Sequence, residues 1–356
     1  MTRGFYIGNV PIGGGAPVTV QSMTNTDTRD AEKTLFQIRA LCTAGADIVR
    51  VSVYDDECLP SFKEICKQSP VPIVADIHYR ADLAVGALEA GAAKVRINPG
   101  NIGSAEKVRL VADCAKAHGA PIRIGVNSGS LEKDILAKYG GVTAEGMVES
   151  SLHHAALLEK TGFTDIVLSL KASDVPLTVK ACRLAAKACD YPLHLGVTEA
   201  GLPGEGHVKS AIGIGSLLLQ GIGDTLRVSL TGDPVPEVLA GISILKACGL
   251  RKEGIDIISC PTCGRTAIDV EGIASRVQRE LADIKLPITV AVMGCVVNGP
   301  GEAKEADFGL AGGANGKGVI FQKGRPPQPV EGDLAGQLIK RVRRTQVEQS
   351  RTDPNP

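Results

Sequence analysis

Ile73-Val74-Ala75-Asp76-Ile77-His78 reads as a β-branched strand, and Leu83-Ala84-Val85-Gly86-Ala87-Leu88-Glu89-Ala90 after it has helical spacing. Gly91 supplies a helix stop, and Lys94-Val95-Arg96-Ile97-Asn98 opens a second strand. This strand–helix–strand unit recurs along the chain. Strands are expected at Val18–Met23, Asp47–Val53, Ile73–His78, Lys94–Asn98, Ile122–Asn127, Asp165–Lys171, Leu193–Glu199 and Thr225–Leu230. Helical spacing marks Glu32–Ala44, Cys58–Gln68, Leu83–Ala90, Ala105–His118, Ser150–Lys160, Pro176–Ala188, Lys209–Gln220 and Glu237–Lys246. Eight alternations predict an α/β protein with a (β/α)8 TIM-type barrel; a doubly wound open sheet is the alternative.

The barrel is expected over 1–245, and the pattern changes after Leu250. Strands Ile255–Ser259 and Ile288–Met293, a helix Glu271–Asp283 and a Gly-rich hairpin in Asp307–Lys323 predict a small α+β domain over 250–325. A domain so small and Gly-rich suits a metal staple. Residues 326–356 read as a linker, introduced by Arg325-Pro326-Pro327-Gln328-Pro329, then a terminal helix Gly332–Val347 and a frayed tail.

The 356 residues balance 39 basic against 39 acidic side chains, with 6 Phe, 5 Tyr and no Trp. That excludes a nucleic-acid or membrane-surface binder working by bulk charge, and leaves few platforms for base stacking. No apolar run reaches the roughly 18 residues of a membrane span, and the start has no secretory or transit character. A cytoplasmic, reducing location is expected for the 10 Cys. Cys42, Cys58, Cys66, Cys114, Cys182, Cys189 and Cys248 stand singly and read as packing thiols.

Side chains alternate inward along barrel strands. Arg50-Val51-Ser52, Asp76-Ile77-His78, Arg96-Ile97-Asn98, Arg123-Ile124-Gly125-Val126-Asn127, Ser169-Leu170-Lys171 and Arg227-Val228-Ser229 therefore turn polar pairs to the lumen or its mouth. Arg50, Arg96, Arg123, Lys171 and Arg227 outnumber Asp76 and Glu199, and unpaired buried charge is costly. A bound phosphate or diphosphate removes that cost. The competing reading ends each Arg at the surface or pairs it with a helix carboxylate. His118, His153 and His154 read as surface residues, and His194 lies at the non-catalytic end of its strand. Gly204-Glu205-Gly206-His207 reads as a mobile lid or a plain loop.

Cys260-Pro261-Thr262-Cys263 and Cys295 each directly follow a strand. A redox disulfide and a zinc site are the alternatives to an iron–sulfur cluster. Structural zinc calls for four Cys or His ligands, and His207 is the last His of the chain. Three thiolates suit a cluster whose fourth iron is held differently. Glu302, beyond the Gly299-Pro300-Gly301 turn, is the nearby carboxylate, and a weakly held iron is what admits substrate. A pterin-type barrel transferase leaves the three Cys unexplained, and a zinc-stapled binding module leaves the cationic lumen unexplained.

The chain resembles the bacterial 4-hydroxy-3-methylbut-2-enyl diphosphate synthase family of the methylerythritol phosphate route to isoprenoids. The resemblance runs over about residues 4–323. It is carried by Val20-Gln21-Ser22-Met23-Thr24-Asn25-Thr26, Arg96-Ile97-Asn98-Pro99-Gly100-Asn101-Ile102-Gly103, Gly223-Asp224-Thr225-Leu226-Arg227-Val228-Ser229, Cys260-Pro261-Thr262-Cys263 and Gly294-Cys295-Val296-Val297-Asn298-Gly299-Pro300-Gly301-Glu302. It implies a [4Fe–4S] cluster on Cys260, Cys263, Cys295 and Glu302. It implies a substrate diphosphate on Arg50, Arg96, Arg123, Lys171 and Arg227, with Asn98, Asn127 and Ser229 lining the mouth. The implied reaction opens 2-C-methyl-D-erythritol 2,4-cyclodiphosphate, reduces it by two electrons and dehydrates it. Glu199 and His78 are then candidates for proton delivery, and Glu302 counts with the catalytic groups as a ligand that moves off. The resemblance also implies reduced flavodoxin or ferredoxin as electron donor, and a homodimer in which one chain's cluster domain covers the partner's barrel.

Overall fold

The computed structural model describes residues 1–295, 301 and 304–352. Glu302 lies outside the described residues. The chain divides into two compact units, Met1–Arg251 and Lys252–Pro356.

The first unit opens with an antiparallel hairpin, β1 (Phe5–Ile7) and β2 (Val10–Ile12). Eight parallel strands follow: β3 (Thr19–Met23), β4 (Ile48–Ser52), β5 (Ile73–Asp76), β6 (Lys94–Ile97), β7 (Ile122–Asn127), β8 (Ile166–Lys171), β9 (His194–Leu195) and β10 (Thr225–Leu226). They neighbour one another in the order β8-β7-β6-β5-β4-β3-β10-β9. A bridge between Leu168 and Leu193 joins the two ends. The sheet is thus the expected barrel and not an open doubly wound sheet.

Helices fill the intervals because their ends are signalled locally. Asp30, Thr143 and Asp174 accept the Lys33, Gly146 and Leu177 N–H groups at the starts of Ala31–Thr43, Ala144–Glu159 and Val175–Ala188. The first of these ends at Gly45, whose φ of 101° suits glycine. The Thr143 cap starts its helix six residues before the expected Ser150. Short helices at Pro99–Ile102 and Lys133–Tyr139 were not anticipated by periodicity. The strands β9 and β10 are also shorter than expected. Just beyond β9, Gly196 lies too close to Lys171 and to the Arg227 carbonyl to carry a side chain.

Val49, Val51, Val95, Ile97, Ile122, Ile124, Leu168 and Leu170 point outward and are sealed under the helices. The lumen-facing Ile48 and Val74 pack instead against Ile7 and Ile12. The hairpin therefore plugs the N-terminal end of the lumen, where its apolar edge finds the only apolar lining of β4 and β5. Gly8-Asn9 between its strands is a strong two-residue turn signal that strand length alone obscured.

In the second unit, β11 (Ile255–Ser259), β12 (Ile288–Met293), β13 (Phe308–Gly312), β14 (Lys317–Gln322) and β15 (Arg325–Glu331) form one sheet in that order. The pairs β11–β12 and β12–β13 are parallel, and the rest antiparallel. The helices Val270–Glu280 and Leu334–Thr352 supply Val277, Leu338 and Val342 to a core with Val290, Val292 and Leu310. The expected linker over Arg325–Pro329 is instead β15. An edge strand tolerates Pro327 and Pro329, which share one side of the strand, and the neighbouring Pro326 falls where the pairing with β14 shifts register between Ile320 and Gln322. Among the described residues no helix is long and apolar enough to cross a membrane.

The plug yields a test. Ile12 is fully buried, so Ile12→Ala should cost the barrel about 2–5 kcal/mol in urea unfolding. A loss below about 0.5 kcal/mol would show that the hairpin merely rests on the barrel.

Candidate functional site

The inward positions place charge where the alternation predicted. Arg96, Arg123 and Lys171 are each at most 9% exposed, and Asp76 is 6% exposed. Arg50 reaches Asp76 at 3.8 Å and Arg96 reaches it at 3.4 Å. Burial alone would raise the Asp76 pKa. Arg50, the His78 hydrogen bond, Arg96 and Arg123 outweigh it and hold the carboxyl well below the usual carboxylate range. Arg50 also donates to the Met23 sulfur at 2.8 Å from Nη2.

Room for these side chains is made by missing ones. A Cβ on Gly125 would stand 2.7 Å from Arg96 Nε, and one on Gly196 would stand 2.6 Å from Lys171 Nζ. Both glycines occupy lumen-facing positions, so they convert barrel filling into space for cations.

The structure adds two charged groups that the sequence reading missed. Lys94, two residues before Arg96, is wholly buried and donates to Gln21 Oε1 at 3.2 Å. Its alternation with Arg96 was the available signal. Glu237, in the first turn of the helix Val235–Ala247, is 3% exposed and meets Arg227 at 3.2 Å. For Arg227 the helix-carboxylate reading holds. Burial pushes Glu237 up, against the pull of Arg227.

One expectation about histidine changes. His154 is buried, not a surface residue: its Nε2 meets Glu132, and its Nδ1 accepts the Gly100 N–H at 3.2 Å. It thereby fixes the strand-to-helix loop after Asn98, whose own Oδ1 accepts the same N–H at 3.2 Å. The short helix Lys133–Tyr139 and the preceding Glu132, invisible in the periodicity, bring that carboxylate into reach. His194 is fully buried in the lumen, with Nδ1 on Thr225 and Nε2 unpartnered.

Among the candidates for proton delivery, His78 is exposed at the rim, 3.6 Å from Asp76 and 3.2 Å from Arg96. Glu199 is exposed with φ of 53°, a left-handed conformation unusual for a side chain-bearing residue. Asn127 and Ser229 are half-buried near the strand ends. Gly204–His207 is not a plain loop. Glu205–Leu218 is a helix, and His207 Nδ1 accepts the Gly204 N–H at its start.

Arg50, Arg96, Arg123, Lys171, Arg227 and Lys94 thus face only Asp76 and Glu237 as buried counter-charges. Among the described residues, Arg123, Lys171 and Lys94 have no carboxylate partner, and Arg123 Nε and Nη1 and Arg96 Nε make no hydrogen bond. Convergent, unsatisfied donors of one charge are the chemistry of an anion site.

In the second unit, Cys260 and Cys295 follow the adjacent parallel strands β11 and β12. The Gly294 N–H donates to Cys260 Sγ at 3.1 Å. Cys263 is exposed, and the Arg265 N–H lowers its thiol pKa. Among the described residues no three Cys, His, Asp or Glu gather closely enough for one metal ion.

The surplus charge has a measurable cost. Replacing Arg123 by Met should stabilise the anion-free barrel by about 1–4 kcal/mol while weakening anion binding about tenfold or more. Loss of stability in that variant would mean that Arg123 is satisfied without an anion.

The fold is shared with dihydropteroate synthases. Those of Yersinia pestis and Vibrio fischeri superpose with a TM-score of 0.51 at 12% identity, over 70% and 69% of this chain and 98% and 97% of theirs. Much higher identity links the chain to proteins named 4-hydroxy-3-methylbut-2-en-1-yl diphosphate synthase (flavodoxin). The Caldanaerobacter subterraneus protein is 59% identical, covering 96% of each chain, and the Geobacter sulfurreducens protein 56%, covering 98% of each. The GcpE TIM-barrel domain matches residues 2–242, and the GcpE protein C-terminal domain matches 256–344. Across both units, the chain belongs to the GcpE family.

Proposed function

We propose that the barrel lumen holds the diphosphate of a cyclic substrate while three thiolates of the second unit hold the redox centre. The chain is an oxidoreductase of its family's reaction. It converts 2-C-methyl-D-erythritol 2,4-cyclodiphosphate to 4-hydroxy-3-methylbut-2-enyl diphosphate in non-mevalonate isoprenoid synthesis, with flavodoxin as electron donor. The observation that carries the site reading is Arg123, 2% exposed with two unpartnered donors aimed into the lumen.

Arg50, Arg96, Arg123, Lys171 and Arg227 clamp the diphosphate oxygens. Their charge stabilises the negative charge that grows on phosphate as the ring carbon–oxygen bond breaks. Asn98, Asn127 and Ser229 orient the carbon skeleton at the mouth. Cys260, Cys263 and Cys295 hold a [4Fe–4S] cluster, with Glu302 as the fourth, removable ligand. The donors fit: the Gly294 N–H donates to Cys260 Sγ, and the Arg265 N–H lowers the Cys263 thiol pKa. That group would supply one-electron transfer, which no side chain here can perform. His78 and Glu199 deliver protons from the rim.

The two halves of this chemistry lie in separate units, so one substrate must meet both. The reading places the cluster domain of one chain over the barrel of its partner in a homodimer. This reading places the enzyme in the reducing cytoplasm, where thiols stay reduced; among the described residues no two Cys are joined in a disulfide.

Three measurements test this. Cys260→Ser, Cys263→Ser or Cys295→Ser should abolish bound iron and activity together, and stoichiometric zinc in anaerobically prepared protein would sink the cluster. A Cys295→Ser chain mixed with an Arg123→Ala chain should regain about a quarter of full activity by random exchange. Verified exchange with no recovery would mean that each chain closes on its own barrel. Glu199→Gly should relieve backbone strain and keep or raise the melting temperature, yet cut turnover by about 10²–10⁴. Unchanged turnover would remove Glu199 from the proton path.

A further inference from the structure

Below the diphosphate site the lumen continues into a layer that the proposed reaction does not use. Lys94 and His194 are 0% exposed, and Gln21 is 1% exposed. Gln21 Nε2, His194 Nε2 and Thr19 Oγ1 lack partners. The hairpin residues Ile7 and Ile12 pack against Ile48 and Val74 beneath this layer.

The charges facing Lys94 are nearly all alike. On its own strand stands Arg96, on β7 Arg123, on β4 Arg50, on β8 Lys171, and Arg227 follows β10. His194 faces it from β9, and Asp76 on β5 and Glu237 on its helix are the two carboxylates. Asp76 is shared by Arg50 and Arg96, and Glu237 is taken by Arg227. Nothing is left for Lys94 or Lys171. Guanidinium groups hold their protons, so relief must come from the amines and the imidazole. Burial first, and then Arg123 and Arg50, push Lys94 well below the ordinary ammonium range. Lys171 and His194 are depressed in the same way.

We propose that Lys94, with His194, forms a proton-accepting layer beneath the diphosphate clamp, whose protonation is coupled to occupancy of the lumen by the diphosphate anion. Without an anion these groups give up protons to lower the repulsion. When the dianion arrives, its field makes their charged forms favourable and the site takes protons from solvent. The protons go onto Lys Nζ and His nitrogens, and no bond of the ligand changes. Binding and protonation are reciprocal, so affinity must fall as pH rises through the window between the free and bound pKa values. Lys94 is thereby a positioning residue: it touches Gln21 and acts on the ligand through charge.

The proposal rests on the diphosphate reading of the lumen, and the experiment separates the two. The probe is the cyclic diphosphate itself, added to iron-loaded full-length protein with no reductant, so that nothing turns over. Its phosphates are fully ionised across neutral pH, so any proton taken up is the protein's. Calorimetric titrations in buffers of different ionisation enthalpy should give a positive proton uptake. The dissociation constant should rise by up to about tenfold per pH unit for each proton coupled. Lys94→Met should lower the uptake and flatten that pH dependence. No binding at all would overturn the diphosphate reading. Binding with no proton uptake, or with release, would overturn the proposal while leaving that reading standing. Uptake undiminished in a folded Lys94→Met protein would remove Lys94 from the layer. If that variant fails to fold, the wild-type uptake and pH slope still decide.

Discussion

Six cationic side chains share a lumen with two buried carboxylates, and the rest of the barrel is arranged to tolerate that imbalance. The outer layer offsets it with burial. Valine, isoleucine and leucine on every strand pack under helices, so the charged interior is held in place by apolar area it does not contribute. The hairpin covers the lumen-facing Ile48 and Val74 with apolar side chains at the N-terminal end. Gly125 and Gly196 give up packing so that Arg96 and Lys171 fit. Stability is traded for an interior preorganised around an absent anion, the kind of compromise expected at functional sites.

The same constraint explains the division of labour between the units. A cationic lumen stabilises phosphate but supplies no electrons. The second unit carries three thiols that follow two parallel strands. Each has what the other lacks, and the proposed chemistry draws on both domains of the family.

His154 illustrates how a supporting residue hides. Its helix segment looks like any amphipathic surface stretch. Yet it accepts the backbone N–H of Gly100 and is held by Glu132, a residue preceding a helix that periodicity did not reveal. Gly100 has no side chain because the His154 ring occupies the space a Cβ would need. The loop beneath the mouth is therefore set by a contact across 54 residues of sequence.

The sequence by itself determined the barrel and the lumen cations. A period of two is read directly from Arg50-Val51-Ser52 or Arg96-Ile97-Asn98, and closing the strands into a ring leaves those side chains one common interior. It likewise determined the three thiols, since Cys260, Cys263 and Cys295 sit directly after strands. Only the tertiary structure decided the pairing within that interior. Glu237 reaches Arg227 from a helix, Glu199 turns out to solvent, and Lys94 is sealed in without a counter-ion. It also turned a Pro-rich linker into an edge strand. These outcomes depend on which elements lie side by side and on how much space a neighbour leaves. Local periodicity carries neither, because both are set by contacts between residues far apart in the chain.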